Sequence, residues 1–210
     1  MMRCSGLITA RWVLFVALVG ASGAACKPWT VKPIDNTAAG AAAAPARFDA
    51  AAYVESVWAT RVEPAARASA VELSAEFLAR GEPAGSTILV RGTGLVSAAD
   101  TRSRVGLALV DLVPADGRPD VALQIGPVLR GTAVRDALPF IHFGDFANQL
   151  EFADVANALN ARVLHSVLAT VDVAALKGRP VTFWGAMKID GAAGERLPEV
   201  VPVILQGGAL

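Results

Sequence analysis

The chain has few aromatic residues, cysteines and histidines: aromatics make up 6% of 210 residues, with one tyrosine, two cysteines and two histidines. Two cysteines and two histidines, none closely paired, do not make a four-ligand zinc site of the usual kind, so no metal or cofactor is expected. Charge of one sign is also lacking, with 19 Lys plus Arg against 19 Asp plus Glu. Nucleic-acid binding driven by counterion release needs a basic surplus, so nucleic acid is not an expected partner. There is no run of the roughly 20 apolar residues that a membrane-spanning helix requires. The chain does have 54% hydrophobic residues and enough length for one domain with a full core.

The N-terminus reads as an export label. Arg3 and Arg11 carry the only charges before Trp12, and residues 12–25 form an apolar run of 14 that closes on small residues. That length and polarity mark residues 1–25 as a signal peptide. The run ends in Gly23-Ala24-Ala25-Cys26, which resembles the lipobox of bacterial lipoproteins, with Gly23 standing where leucine is usual. The resemblance implies lipidation at Cys26; the alternative is ordinary cleavage that leaves Cys26 as a free thiol. Cys4 departs with the signal peptide, so the mature chain has one cysteine and no internal disulfide. It also keeps 17 basic and 19 acidic residues, a net charge of −2. Acyl chains rather than a polybasic patch would therefore hold it to the membrane. Lys27 stands where an inner-membrane retention signal has Asp, which by the same resemblance favours the outer membrane for a periplasmic, lipid-anchored protein.

Residues 26–47 are rich in Ala and Pro and read as a tether. Residues 48–81 are expected to form a helical pair. Asp49 can cap a helix with Tyr53, Val54, Val57, Trp58, Arg61 and Val62 at helical spacing, stopping around Pro64, and a second amphipathic stretch runs over 68–79 and ends at Gly81. Residues 85–210 switch to period two. Ile88, Val90 and Val96 lie on one strand, Val105, Leu107 and Leu109 on a second, and Val121, Leu123 and Ile125 on a third. An irregular stretch over 130–147 leads to Asn148, which with Glu151 three residues on can cap a long helix bearing Phe152, Val155, Ala156, Leu159, Val163, Val167 and Leu168. Strands with Val181, Phe183, Met187 and Ile189, and over 200–205, complete the pattern. This order predicts an α+β, mainly β fold, an OB-like five-stranded Greek-key barrel with its long helix between the third and fourth strands. Glycines 92, 94, 106 and 185 suit sharply coiled strands; an open α+β sheet is the alternative.

Chemistry-bearing residues are sparse. Gly92 and Gly94 form a G-x-G inside a strand with no helix following, which argues against a phosphate loop. His142 and Asp145 lie three apart among phenylalanines, but no serine or cysteine is near in sequence, so hydrolysis ranks last and no catalytic residue is assigned. The long connection from Gln124 to Asn160 gathers Arg130, Arg135, Asp136, Asp145, Asn148, Gln149 and Asn157 among apolar residues, a make-up suited to a neutral, hydroxyl-rich ligand. The competing reading is structural: arginines paired with aspartates, asparagines capping and turning.

RGTG at 91–94, SRVGLALVDL at 103–112, LQIGPVLRGTAVRDALPFIHFGDF at 123–146 and ADVANALN at 153–160 together resemble one family, the predicted bacterial periplasmic lipoproteins carrying domain of unknown function 2291. The resemblance implies an accessory role beside sugar-type ABC uptake systems and carries over no catalytic residue. The expected function is a lipid-anchored binding or accessory lipoprotein without catalysis. Its partners would be the membrane, a sugar or polyol, or the transporter's solute-binding protein. The alternative is a structural or assembly lipoprotein that contacts another envelope protein.

Overall fold

Period-two runs of β-branched and aliphatic residues pair here into a six-stranded sheet, in a computed structural model that describes residues 47–80, 83–189 and 196–207. The strands are β1 (Val71–Glu72), β2 (Thr87–Asp100), β3 (Leu107–Leu112), β4 (Val121–Gln124), β5 (Pro180–Lys188) and β6 (Glu199–Gly207). Their order is β1-β2-β3-β4-β6-β5, and β5 also pairs with β2, so five strands form a closed ring of pairings. The fourteen-residue β2 makes this closure possible. Its first part runs antiparallel to β5, from Thr87 opposite Lys188 to Leu95 opposite Pro180. Its second part runs antiparallel to β3, from Gly94 opposite Leu112 to Asp100 opposite Leu107. The β4–β6 contact is parallel.

A strand shared between two partners must coil, and the glycines stand where neighbouring backbone comes too close for a side chain. A Cβ on Gly94 would lie 2.2 Å from the carbonyl oxygen of Asp111, and one on Gly185 2.4 Å from that of Val201. The ring interior is filled by alternate residues, among them Val90, Val96, Ala108, Val110, Leu123, Phe183 and Val203, all buried. At the β2–β3 turn the backbone N–H groups of Arg102 and Ser103 donate to the Asp100 carboxylate at 2.9 and 3.3 Å. The Arg102 bond, followed by the Ser103 hydroxyl and backbone, holds that carboxyl below the ordinary carboxylate range.

Helices pack on this sheet. Helix α1 (Ala50–Val57) starts where the Ala52 N–H donates to Asp49 Oδ1 at 3.0 Å. It buries Val54 and Val57, and the π-helical turn Trp58–Val62 that follows buries Trp58 and Val62. The expected stop at Pro64 is corrected: the helical run continues into α2 (Glu63–Ser69), because the π-helical turn before it, in which the Glu63 N–H reaches back to the Trp58 carbonyl, is wide enough to make room for the ring. The second helix also differs from the expected 68–79. Ala70 is extended, β1 pairs with Val90 and Arg91 of β2, and α3 covers only Ala75–Arg80.

The connection over 130–147 contains α4 (Ala133–Ala137) and a 3-10 turn at Phe143–Asp145. Helix α5 (Gln149–Arg162) then continues through a π-helical turn, Val163–Val167, and a 3-10 turn, Leu168–Thr170. It buries Val155, Ala156, Leu159, Val163, Val167 and Leu168, so the apolar face read from the sequence is the packed one. Asn148 Oδ1 accepts the N–H groups of Leu150 and Glu151 at 2.9 and 3.0 Å, while Glu151 Oε2 accepts that of Ala147. Asn148→Ala is expected to cost about 1 kcal/mol, read as a lower urea midpoint at unchanged slope. A loss within about 0.3 kcal/mol would show that the Glu151 bond alone can hold the entry.

The signal peptide, Cys26 and the tether through residue 46 lie outside the described residues. Among those described, no helix is long and apolar enough to cross a membrane.

Candidate functional site

The seven polar candidates of the central connection separate into small groups with local partners. Arg130 turns back to the sheet: its guanidinium meets Glu199 Oε1 at 2.5 Å, and its backbone N–H donates to Gln124 Oε1 at 2.7 Å. Gln124, buried at the end of β4, closes the set by donating from Nε2 to Glu199 Oε2 at 2.8 Å. This triad fastens the start of the connection to the parallel β4–β6 edge. Its acceptor lies 69 residues along the chain, so no local pattern in the sequence pointed to it.

Arg135 is held more tightly. Its Nε and Nη2 donate to Asp136 Oδ1 at 2.8 and 2.7 Å, and Nη1 donates to the Phe152 carbonyl at 3.0 Å. Thr132 donates to the other oxygen of Asp136 at 2.6 Å, and the guanidinium lies 3.6 Å from the Phe152 ring centre. The Asp136 bonds fix the guanidinium within α4, and its contacts with the Phe152 carbonyl and ring tie α4 to α5. Asp145 accepts the His142 N–H at 3.0 Å, with His142 Nδ1 3.6 Å away and both side chains largely exposed. Asn148 is the α5 cap, and Gln149 and Asn157 lie exposed on the same helix. Asn160, not among the candidates, donates to the Gly131 carbonyl at 3.0 Å.

Beside this framework lies a chain of rings. Phe48 contacts Tyr53 and Phe146 at 5.9 and 5.5 Å between centroids, Tyr53 contacts Phe146 at 5.7 Å, and Phe152 touches both Phe146 and Phe143. Burial pushes the Tyr53 phenol up; nearby Arg61 opposes the shift and Asp145 adds to it.

A second locus lies beside β2, at the C-terminal ends of β1 and β3. The Leu73 N–H donates to the Arg91 carbonyl at 2.7 Å and the Val113 N–H to that of Thr93 at 3.0 Å. Between them an open depression of about 380 Å³ is lined by Glu72, Leu73, Thr93 and Val113. Glu72 and Arg91 form a half-exposed ion pair at 3.6 Å, and the Thr93 and Thr182 hydroxyls lie 3.1 Å apart. The guanidinium groups of Arg67 and Arg91 lie 5.0 and 5.4 Å from the Trp184 ring centre. Sequence reading missed this locus because a two-residue strand has no periodicity. Among the described residues, no group of three or more His, Cys, Asp or Glu side chains is arranged to hold a metal ion.

A family model described as "Predicted periplasmic lipoprotein (DUF2291)" matches residues 14–206, most of the chain. The chain belongs to the DUF2291 family. This DUF2291 chain also matches the crystal structure of an OB-fold protein from Thermotoga maritima, with a TM-score of 0.59 at 16% identity, covering 77% of this chain and 99% of that one. At that identity the likeness speaks to fold alone, and it agrees with the ring of five strands. No curated protein matches the chain.

Proposed function

We propose that this DUF2291 protein is a lipid-anchored accessory module of a sugar-type uptake system, held through acylated Cys26, that works by binding and performs no catalysis. In this reading the ring of strands is an OB-type barrel, a fold that takes ligands on its strand faces and adjoining loops. The observation that carries the reading is the depression beside β2. Glu72 and Thr93 line it beside the apolar Leu73 and Val113, with Arg91 and Thr182 as their respective partners, so carboxylate and hydroxyl groups stand against an apolar floor, the mixture that a sugar or polyol requires. Arg130, Arg135, Asp136, Asp145 and Asn148 then serve as the frame of the connection, since their bonds fix its course to β6, α4, the 3-10 turn and the start of α5.

The test is a thermal-shift screen of the Cys26→Ser chain lacking residues 1–25 against monosaccharides and polyols. A ligand at a hundred times its Kd should stabilise the fold by about 2.7 kcal/mol, and Thr93→Val or Glu72→Gln should abolish the shift. Unchanged melting with every sugar removes the small-molecule reading.

Val71 and Val113, 42% and 51% exposed, favour a second reading. One precedes Glu72 and the other lines the depression, so this edge also suits contact with an envelope protein such as the transporter's solute-binding protein. Val113→Asp would then abolish complex formation in a pull-down while leaving the melting temperature unchanged.

A further inference from the structure

Backbone groups along a strand point alternately to its two edges. In β2 the even-numbered residues face β5: the Val96 N–H donates to the Arg179 carbonyl at 3.0 Å, and the Val96 carbonyl accepts from Gly178 at 2.7 Å. The odd-numbered residues face the other edge, where the Arg91 carbonyl accepts from Leu73 and the Thr93 carbonyl from Val113. The β1 ladder ends with Glu72 opposite Arg91, and the β3 ladder with Leu112 opposite Gly94. Only Gly92 and Thr93 lie between them, and Gly92 is turned to β5. Thr93 is paired in register with Thr182, and the two hydroxyls touch, as expected where the backbone groups point away from the shared edge. Among the described residues the Thr93 N–H has no acceptor. It falls in the gap where Glu72, Leu73, Thr93 and Val113 line the depression. A strand donor without a protein acceptor takes one from solvent or from a ligand.

The size and charge of the gap restrict that ligand. A peptide that extends a sheet needs a run of free donors and acceptors. Here both flanking carbonyls are occupied and one N–H is left, which suits a single oxygen of a small molecule. Glu72 is the one charged residue of the lining, and Arg91 balances it at 3.6 Å from outside the lining. A ligand carboxylate or phosphate would meet Glu72 as a like charge, and a cation would find it already balanced. A hydroxyl is free of both difficulties, since it accepts as well as donates. The Thr93 and Thr182 hydroxyls share one proton between them and leave the other for a ligand.

We propose, resting on the sugar-binding reading above, that the Thr93 backbone N–H is the specificity-determining donor of this site and that its ligand is an uncharged sugar or polyol. One hydroxyl or ring oxygen of the ligand accepts the Thr93 N–H, and another hydroxyl donates to Glu72. Leu73 and Val113 flank its C–H surface.

Amide hydrogen exchange, followed by NMR on the isotope-labelled mature chain carrying Cys26→Ser, reads this donor directly. In the free chain the Thr93 N–H should exchange about tenfold or more faster than the bonded N–H groups of Leu73 and Val113. The panel is glucose, galactose, ribose and glucitol, with glucuronate and galacturonate as the acidic comparison. A neutral member at a hundred times its Kd should slow Thr93 exchange about a hundredfold, while the uronates at the same concentration leave it fast. A Thr93 N–H as protected as that of Val113 in the free chain overturns the proposal without touching the sugar-binding reading, because the donor then already has an acceptor. A sugar that raises the melting temperature but leaves Thr93 exchange unchanged does the same. Equal slowing by glucuronate and glucose overturns the restriction to uncharged ligands. A panel in which no member stabilises the fold removes the sugar-binding reading and the role of this donor together.

Discussion

Gly94→Ala is expected to destabilise the domain by about 3 kcal/mol or more, the upper end of overpacking penalties. The added Cβ would meet the Asp111 carbonyl oxygen at 2.2 Å and the Asp111 carbonyl carbon at 2.9 Å. Both belong to the paired backbone of β3, which cannot rotate aside as a side-chain tip can. Relief requires β2 and β3 to part at the residue where β2 passes from one partner to the other. Gly144→Ala makes the contrast. Nothing lies within 4 Å of its Cβ and its φ is ordinary, so it should be neutral or gain a few tenths of a kcal/mol through the unfolded state. Urea unfolding of both variants measures the difference; equal midpoints would show that the strands have room to separate.

Phe183→Ala is expected to cost about 3–5 kcal/mol, because the ring is fully buried in the interior of the strand ring and its removal leaves a cavity that paired strands cannot collapse. The same ring explains Gly92, where a Cβ would lie 2.6 Å from Phe183 Cζ. Gly92→Ala should therefore be strongly destabilising alone and much less so in a Phe183→Leu background. A double-mutant cycle should yield a coupling of about 1–2 kcal/mol. Strict additivity would mean that Gly92 is required for a reason other than this ring.

The features legible in the sequence were those with a local physical cause. Alternation exposed β2 to β6, the three- and four-residue spacing from Phe152 to Leu168 exposed α5, and Asp49 and Asn148 marked helix starts because their side chains cap within three residues. What escaped depended on tertiary context. Pro64 is tolerated because a wider turn precedes it, and β1 exists only because β2 offers it an edge. The candidate site followed the same division. The composition of 124–160 was visible, yet the partners that engage Arg130 and Arg135, namely Glu199, Gln124 and the Phe152 carbonyl, come from other elements. Proximity in sequence made seven residues look like one cluster, whereas folding divides them among a sheet edge, a helix pair and a cap.

The division of β2 between β3 and β5 also bears on the order of folding. Thr93 meets Thr182 only 89 residues later, and Gln124 meets Glu199 after 75, so both closures join distant parts of the chain. Such closures come late, because their loop entropy must be overcome before any contact forms. A chain that emerges N-terminus first has β2, β3 and α5 in hand before β5 and β6 arrive, so the ring can close only when its last two strands are present.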